Sequence, residues 1–234
     1  MVDIHCHILP DIYDGPADLE TSVAMCRIAA SDGIRTIVAT PHVNTTLYPV
    51  AEITRRVEQL NSQLQKNNIP VEILPGADVS SLIDPALLKA YTINATRYIL
   101  IEFPHTHLPR NAREIVFNFT INGFWPIITH PERNPSIMQD PNLLEQLVDA
   151  NGLVQITADS LTGIFGMDIE ECARFLLRKK MVHFIATDAH SDDYRKPILS
   201  KALEVAGKII GREQAINLVT VNPTSVIKGE AINA

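Results

Sequence analysis

Short apolar runs alternate with longer segments of helical period along most of the chain, and this alternation limits the available folds. The apolar runs cover residues 1–5, 36–40, 71–75, 98–103, 125–129, 153–157 and 182–187. The helical segments between and after them cover residues 19–32, 50–67, 111–122, 141–150, 167–180 and 197–206. Near-continuous apolar strands separated by helices indicate a parallel sheet covered on both faces. Seven such units predict a closed or nearly closed α/β barrel formed by one domain, residues 1–234.

The C-terminal part, residues 207–234, has the spacing of one or two further helices that belong to the same domain. Asn222-Pro223-Thr224 predicts a break in this part, because a proline inside a helix removes a backbone donor. Asn151-Gly152 predicts the left-handed end of a helix directly before the sixth apolar run.

Composition and charge narrow the classes of function. The formal net charge is −7, which argues against sequence-independent nucleic-acid binding because that binding requires a basic surface. Cys6, Cys26 and Cys172 are too widely spaced for a disulfide framework, so a reducing compartment is expected. No secretory signal pattern is present, and the apolar runs are too short to cross a bilayer. We therefore expect a cytoplasmic protein that does not insert into membranes and whose oligomeric state stays open.

Side chains that bind metals follow six of the seven apolar runs. Nine candidates have this placement: His5, His7, Asp14, His42, Asp78, Glu102, His130, Asp188 and His190. The carboxyl ends of parallel strands meet at one end of a barrel, which is where α/β proteins place their active sites. We therefore expect these side chains to converge.

The spacing of these residues predicts how they share ions. His5 and His7 are two positions apart on a predicted strand, so both imidazoles point to the same face, and Asp188 and His190 repeat the pattern. Imidazole mixed with carboxylate suits zinc, iron or manganese. Nine ligands exceed the needs of one ion, so two or three divalent ions that share a carboxylate are predicted. Such clusters activate water near neutral pH.

The same residue types also have ordinary structural interpretations. His183, His105 and His107 are expected to form structural hydrogen bonds, although the latter two could instead face solvent or substrate. Asp78 could cap a following helix, and Cys6 is expected to pack away from the cluster. Independent coincidences at six strand ends are implausible, because histidine and carboxylate side chains are rarely buried without partners. A shared metal cluster accounts for the placement better.

Two arginines follow the predicted ligands closely. Arg133 lies three residues after His130, and Arg195 lies five residues after His190. A guanidinium beside a metal cluster offers paired donors to a phosphate dianion; a salt bridge at the rim is the alternative. The sequence contains no GxSxG elbow and no Walker A loop, and Cys6 and Cys172 lack a phosphate-cradling loop of the CxxxxxR type. Water activated at the metal cluster is therefore the expected nucleophile.

Several segments, taken in order, resemble a known superfamily: HCHILP followed by DG, TPH, GAD, IEFP, THPERN, VQITADSLTG followed by FG, and IATDAHS. They resemble the polymerase-and-histidinol-phosphatase (PHP) superfamily. Within it they resemble the bacterial manganese-dependent tyrosine phosphatases of capsular and exopolysaccharide gene clusters. The resemblance runs from Asp3 to about Ala206 and implies a distorted seven-stranded, TIM-like (β/α)7 barrel with a trinuclear site.

The resemblance also implies roles for individual residues. The first ion would be held by His5, His7, Asp78 and Asp188. The second ion would be held by Asp78, Glu102 and His130. The third ion would be held by Asp14, His42 and His190. Arg133 and Arg195 would bind the phosphate. Apart from the resemblance, we hypothesise that His42 or a metal contact assists the departing tyrosine oxygen.

Three positions depart from the family pattern. The family usually has Glu where this chain has Asp78, so the carboxylate reaches one methylene less. Paired acids before the loop glycine are replaced by Tyr13-Asp14, and Val43 stands where the family has a second histidine. All predicted ligand positions survive these changes, and manganese, with iron or zinc as alternatives, remains the expected metal.

The predicted function is hydrolysis of phosphotyrosine on the tail of a tyrosine autokinase that controls polysaccharide export. One alternative is a small-molecule phosphatase of the histidinol-phosphatase type, or a phosphodiesterase, that uses the same site. A second alternative is a weakly active barrel that regulates a kinase or polymerase by docking, which the Asp78 departure would favour.

Overall fold

The computed structural model describes residues 1–44 and 47–232 of the chain. These residues contain nine strands: β1 (Val2–Cys6), β2 (Thr36–Ala39), β3 (His42–Val43), β4 (Glu72–Pro75), β5 (Asp78–Ser80), β6 (Tyr98–Glu102), β7 (Trp125–Thr129), β8 (Leu153–Thr157) and β9 (Phe184–Ala186). Each of the seven apolar runs contains one strand, so the α/β class is confirmed. The strand count is corrected from seven to nine, because two short strands follow β2 and β4 after an interruption.

The strands form two parallel sheets. The first has the order β1-β2-β4, and the second has the order β3-β5-β6-β7-β8-β9. Backbone contacts connect β1 to the segment that follows β9: Cys6 and Ala189 form a parallel bridge, and the Asp188 N–H donates to the His5 carbonyl at 2.8 Å. The carboxyl end of β1 is thereby held beside the carboxyl end of β9.

Two interruptions separate β2 from β3 and β4 from β5. Pro41 lies in the first and has no N–H to donate to a neighbouring strand. Gly76 lies in the second, where a Cβ atom would approach Val38 Cγ1 to 2.7 Å, so a larger residue would collide there. Beyond the interruptions the pairing resumes with His42 opposite Asp78. Two predicted metal ligands are therefore side by side.

Ten α-helices lie within the described ranges: α1 (Leu19–Ser31), α2 (Val50–Lys66), α3 (Ala112–Ile121), α4 (Pro135–Gln139), α5 (Asn142–Val148), α6 (Ala158–Leu161), α7 (Met167–Arg178), α8 (Ser200–Ile210), α9 (Arg212–Val219) and α10 (Val221–Lys228). Three short 3₁₀ helices, Pro85–Leu87, Ile93–Ala95 and Pro131–Arg133, complete the set. None of the helices in the described part of the chain is long and apolar enough to cross a membrane.

The predicted break at Asn222-Pro223-Thr224 lies two residues earlier, at Thr220 between α9 and α10. Pro223 lies in the first turn of α10, where its missing N–H would have no partner within the helix. The chain instead changes direction at Gly211, which has φ of +88°, and at Thr220. The predicted left-handed helix end at Asn151 is confirmed by its φ of +68°.

Side chains inside the strands change from apolar to polar along the strand direction. On β6, Tyr98 and Leu100 belong to a buried apolar cluster, and Glu102 follows at the next position of the same face. Phe184 and Ala186 of β9 belong to the same cluster and lead to Asp188. Since side chains alternate with a period of two, each strand carries its apolar packing at the amino end and its polar group at the carboxyl end.

Candidate metal centre

His5 of β1 and His7, which follows the strand, reach the site because the pairing of β1 is irregular after Asp3. The register of β1 against β2 shifts between Asp3 and Cys6. Ile4 packs in the apolar cluster between the strands, whereas Cys6 belongs to the core under the helices. Strict alternation would place Ile4 and Cys6 together. The irregularity turns His5 and His7 to the interior, where their Nε2 atoms lie 3.2 Å apart.

Asp188 connects the imidazoles to the arginines. Its Oδ1 atom lies 3.4 Å from His5 Nε2 and 3.3 Å from His7 Nε2. Its Oδ2 atom accepts hydrogen bonds from terminal nitrogens of Arg133 and Arg195, each at 2.5 Å. Asp188 has a left-handed backbone with φ of +50°, a conformation that Asp tolerates better than most residues. One carboxylate therefore faces histidines with one oxygen and arginines with the other.

Asp14 joins the cluster from the loop after β1. Its carboxylate lies 3.3 Å from His7 Nδ1, 3.5 Å from His42 Nε2 and 3.0 Å from His190 Nε2. The Nδ1 atom of His190 donates to the backbone carbonyl of Asp188 at 2.9 Å, which leaves its Nε2 atom free to bind a cation. The imidazoles of His7 and His190 stack with centroids 3.9 Å apart.

Asp78 and Glu102 lie on the opposite side of His42. The His42 Nδ1 atom is 3.5 Å from Asp78 Oδ2 and 3.4 Å from Glu102 Oε2. Asp78 Oδ2 is also 3.6 Å from His5 Nε2, so the short aspartate side chain still lies between two histidines. The hypothesis that Asp78 caps a helix is wrong, because the residue lies buried in β5. His130, at φ of +35°, places its Nε2 atom 3.2 Å from Glu102 Oε1.

Three overlapping sets of side chains bring their ligand atoms within 4.8 Å of one another. The first set is His7, Asp14, His42 and His190. The second set is His5, His7 and Asp188. The third set is His42, Asp78 and Glu102. His7 and His42 each belong to two sets, so the sets are connected, and His130 adjoins the third through Glu102.

The unpaired atoms of the cluster fit a bound cation. Four buried ligand atoms have no hydrogen-bond partner among the described residues: His7 Nδ1, His42 Nδ1, Asp78 Oδ2 and Glu102 Oε1. Buried polar atoms without partners are costly, and ligation would satisfy them. Oxygen and imidazole nitrogen donors without a thiolate suit manganese, iron or zinc. The residues present therefore fit divalent metal ions.

The pKa values of the cluster also indicate a site that favours a bound cation. Burial alone would lower the pKa of His42, but the carboxylates of Asp14, Asp78 and Glu102 raise it to about 9. Burial beside Glu102 raises the pKa of Asp78 well above its usual range. Burial would also raise the pKa of Asp188, yet His5 and Arg133 hold it well below the usual range. The carboxylates thus favour positive charge at the centre of the cluster, which a metal ion would supply.

Both predicted phosphate anchors lie at the site. The side chains of Arg133 and Arg195 are 17% and 22% exposed, and both pair with Asp188 rather than with a remote rim residue. Their Nε atoms are buried and have no hydrogen-bond partner in the described chain. The guanidiniums therefore sit beside the metal ligands and still have donors to offer.

The remaining histidines differ in their surroundings. His183 is structural as expected, because its Nδ1 atom accepts from the Val154 N–H at 3.1 Å. His107 is exposed and pairs with Thr106. His105 has a side chain that is 71% exposed, but its Nε2 atom lies 3.2 Å from Glu102 Oε1 and its ring stacks on His130. His105 thus lies at the open side of the cluster.

The sequence did not point to three residues that support this site. Gln155 accepts from the Nδ1 atom of His5 at 2.8 Å and comes from β8, the strand for which no strong ligand was predicted. Asp3 accepts from the Thr187 backbone and hydroxyl directly before Asp188. Glu132 is fully buried and accepts from Thr157 N and Ser160 Oγ, which fixes the turn between His130 and Arg133. Glu132 lies in the THPERN segment and Gln155 in the VQITADSLTG segment, but neither segment indicated a role for the residue.

Parallel strands that carry connected histidine and carboxylate sets at their carboxyl ends define a metal-dependent hydrolase. A family model described as capsular polysaccharide synthesis, CpsB/CapC, matches residues 1–228. The chain belongs to that family. It is 39% identical over 238 residues to the tyrosine-protein phosphatase YwqE of Bacillus subtilis, which covers 99% of this chain and 93% of YwqE. It is 32% identical to a putative tyrosine-protein phosphatase, CapC, of Staphylococcus aureus, with 100% of this chain and 93% of CapC covered.

A solved structure agrees with the sequence comparison. The structure belongs to a study of YwqE from Bacillus subtilis and CpsB from Streptococcus pneumoniae, described as metal-dependent tyrosine phosphatases. It superposes with a TM-score of 0.93 at 39% identity and covers 100% of this chain and 96% of the other. A histidinol phosphate phosphatase of Lactococcus lactis superposes with a TM-score of 0.55 at 13% identity, over 92% and 93% of the two chains, which shows a shared fold alone.

Proposed function

We propose that this protein is a metal-dependent protein-tyrosine phosphatase that acts on the phosphorylated tail of a tyrosine autokinase involved in polysaccharide export. The observation that carries the proposal is the placement of two guanidiniums on Asp188, whose other oxygen faces His5 and His7 of the connected ligand sets. The names of the relatives support a phosphotyrosine substrate, and the family description supports a role in capsule synthesis.

The site is proposed to hold two or three divalent ions, with manganese favoured over iron and zinc. One ion would take His5, His7 and Asp188, and Asp78 would lie between this ion and its neighbours. The other positions would be formed by Asp14, His42, Glu102, His130 and His190. Asp78 Oδ2 lies 3.6 Å from His5 Nε2 and 3.5 Å from His42 Nδ1, which supports a role for the shorter carboxylate as a ligand beside both histidines.

The metal ions, when bound, supply activation of water and charge stabilisation at the phosphoryl group. Arg133 and Arg195, whose side chains are partly exposed beside the metal ligands, hold the substrate phosphate, and their charges stabilise the phosphoryl oxygens as negative charge redistributes. Asp188 holds both guanidiniums at the site. A tyrosine leaving group has a pKa of about 10 and needs less protonation than an alkoxide. His42 serves as a metal ligand, since both its ring nitrogens face carboxylates, and His42 or a metal contact assists the departing tyrosine oxygen.

The finer architecture is part of the same proposal. Counting β2 with β3 and β4 with β5 as interrupted strands gives a distorted seven-stranded barrel formed by one domain, residues 1–234. The bridge between Cys6 and Ala189 supports a connection between the first and last strands. Asn233 and Ala234 lie outside the described residues. We place the protein in the cytoplasm, where a reducing environment suits the three buried free thiols.

The proposal is tested with metal-stripped protein that receives Mn²⁺, Fe²⁺ or Zn²⁺ in turn. The substrates are a phosphotyrosine peptide, the matching phosphoserine peptide and histidinol phosphate. We expect metal-restored turnover with the highest kcat/KM for the phosphotyrosine peptide. A preference for histidinol phosphate would move the function to small-molecule metabolism, and no turnover with any metal would favour a docking role.

A further inference from the structure

Phe165 lies against both arginines of the site. The guanidinium carbon of Arg133 is 5.3 Å from the centroid of the Phe165 ring, and that of Arg195 is 5.7 Å from it. Both distances are within the range in which a cation is attracted to the face of an aromatic ring. Phe165 itself is half-buried and belongs to neither the metal ligands nor the predicted phosphate anchors.

The ring offsets the repulsion between the two guanidiniums at this position. Two guanidiniums donate to the single Oδ2 atom of Asp188, so two like charges are held close together. Coulomb repulsion would drive them apart, whereas the negative face of an aromatic ring attracts both. Asp188 and Phe165 are partners of both arginines. The Nε atom of each arginine is buried and has no acceptor in the described chain.

The backbone before α7 presents the ring in a defined way. Gly163 and Gly166 flank Phe165 with φ of +80° and +98°, values that glycine adopts without strain. The Ile164 N–H donates to the Asp159 carbonyl at 3.2 Å, and the Gly166 N–H donates to the Gly163 carbonyl at 3.1 Å. The turn is thus closed by its own hydrogen bonds, and Gly166 caps the start of α7 after the aromatic residue.

We propose that Phe165 is a positioning residue that holds Arg133 and Arg195 side by side for the phosphoryl group. The inference rests on the proposed function of the two arginines as phosphate ligands. It assigns the ring no contact with the reacting atoms. It predicts that an aromatic ring at this position, and not merely apolar bulk, sets the affinity for phosphate.

The test compares Phe165→Leu with Phe165→Tyr in Mn²⁺-loaded protein. Titration calorimetry measures the binding of inorganic phosphate, and steady-state kinetics with a phosphotyrosine peptide give KM and kcat separately. Phe165→Leu should weaken phosphate binding and raise KM by about five-fold each, with a smaller change in kcat. Phe165→Tyr keeps the ring and should remain within about two-fold of the wild type in both quantities.

Phe175→Leu is the matched control. Phe175 lies on α7 and its ring contacts Lys179 at 5.6 Å, so the substitution removes the same kind of interaction outside the site. It should leave phosphate affinity unchanged. Metal content of every variant is measured, so that loss of ligand geometry is separated from loss of arginine position.

Three results would overturn the inference. The first is phosphate affinity of Phe165→Leu equal to that of the wild type. The second is an equal loss in Phe165→Tyr, since the ring would then not be the relevant feature. The third is wild-type protein that binds no phosphate. Failure of the proposed function is distinguishable from failure of this inference. The wild type would then not hydrolyse the peptide, whereas calorimetry would still compare phosphate binding among the variants.

Discussion

Asp188 uses its two carboxylate oxygens for different partners, and this division explains why charge at the position matters. An asparagine would keep the size of the side chain but would present an amide donor either to the histidines or to the arginines. We expect Asp188→Asn to reduce bound Mn²⁺ and to lower kcat/KM for a phosphotyrosine peptide by roughly 100-fold or more. Metal analysis and kinetics on the purified variant check this, and near-normal metal content and turnover would contradict it.

Gln155 orients His5 from a neighbouring strand. Its Oε1 atom accepts from the Nδ1 atom of His5, which leaves the Nε2 atom available to a metal ion. We expect Gln155→Leu to weaken Mn²⁺ binding by about 10- to 100-fold, as loss of such supporting contacts does at other metal sites. Gln155→Glu retains an acceptor and is the matched control. Equal Mn²⁺ affinity of the leucine variant and the wild type would contradict an orienting role.

At the scale of single residues, the sequence predicted the ligands but not their supports. His5, Glu102 and Asp188 were predictable, because each directly follows or ends an apolar run and parallel strands end at one side of the fold. No role was predicted for Gln155 or Phe165, although both lie in segments that carry the family resemblance. Their roles depend on contacts with residues far away in the sequence, and a glutamine in a strand or a phenylalanine in a turn has no distinctive local pattern.

At the scale of elements, the sequence patterns failed at positions where a strand or a helix is interrupted. The second predicted strand was expected to end at Thr40. Parallel pairing instead resumes at His42, because the interruption that contains Pro41 spans only two residues. Pro223 was expected to break a helix, but a proline in the first turn loses no internal hydrogen bond. The irregularity in β1 could not be predicted, since it arises from pairing with β2 and not from local composition.

His183 makes the stability of the β8–β9 region depend on pH. Burial lowers the pKa of His183 to about 4, and its neutral Nδ1 atom accepts from Val154 N. The unfolded chain binds a proton near pH 6.5, so the stabilisation is complete above that pH and is lost as the pH falls toward 4. Between pH 7.5 and pH 5 we expect a loss of about 2 kcal/mol from this group in the free energy of unfolding.

Urea unfolding at the two pH values checks this contribution. His183→Asn keeps an acceptor for Val154 N but does not titrate, so its loss between pH 7.5 and pH 5 should be smaller than that of the wild type by the same amount. Titration of the metal ligands affects both proteins equally and cancels in the difference. An identical pH dependence of the two proteins would show that His183 is not the responsible group.

At the scale of the whole molecule, packing and chemistry occupy opposite ends of the strands. Val226 of α10 is fully buried in the apolar cluster that contains Ile4 and Phe184, at the end away from the metal ligands. The Tyr98 hydroxyl donates to the Glu230 carbonyl at 2.7 Å and holds the segment after α10 in place. The C-terminal helix therefore covers the amino ends of the strands.

This separation predicts that stability and activity respond to different substitutions. Val226→Ala should lower the free energy of unfolding by roughly 2 kcal/mol, because it leaves a cavity in the apolar cluster. Its kcat/KM at 25 °C should remain unchanged. Val221→Ala, at a 56% exposed position of the same helix, should change stability by less than about 0.5 kcal/mol. A large activity loss in the folded Val226 variant would contradict the separation.

The fold class was predictable from the chain as a whole, and its detailed pairing was not. Seven apolar runs with intervening helices indicated parallel strands, and each run contains a strand. Division into two sheets, however, depends on Pro41 and Gly76, whose effect on hydrogen bonding appears only when the neighbouring strands are in place. Long-range pairing of this kind leaves little trace in local periodicity.

The most direct test of the metal-centre account is a titration of metal-stripped protein with Mn²⁺. Bound metal per chain and hydrolysis of a phosphotyrosine peptide are measured on the same samples. The account predicts no turnover without metal and recovery of turnover as two or three ions bind per chain. Turnover that persists in the stripped protein would contradict it, as would recovery that is unchanged in an Asp78→Asn variant.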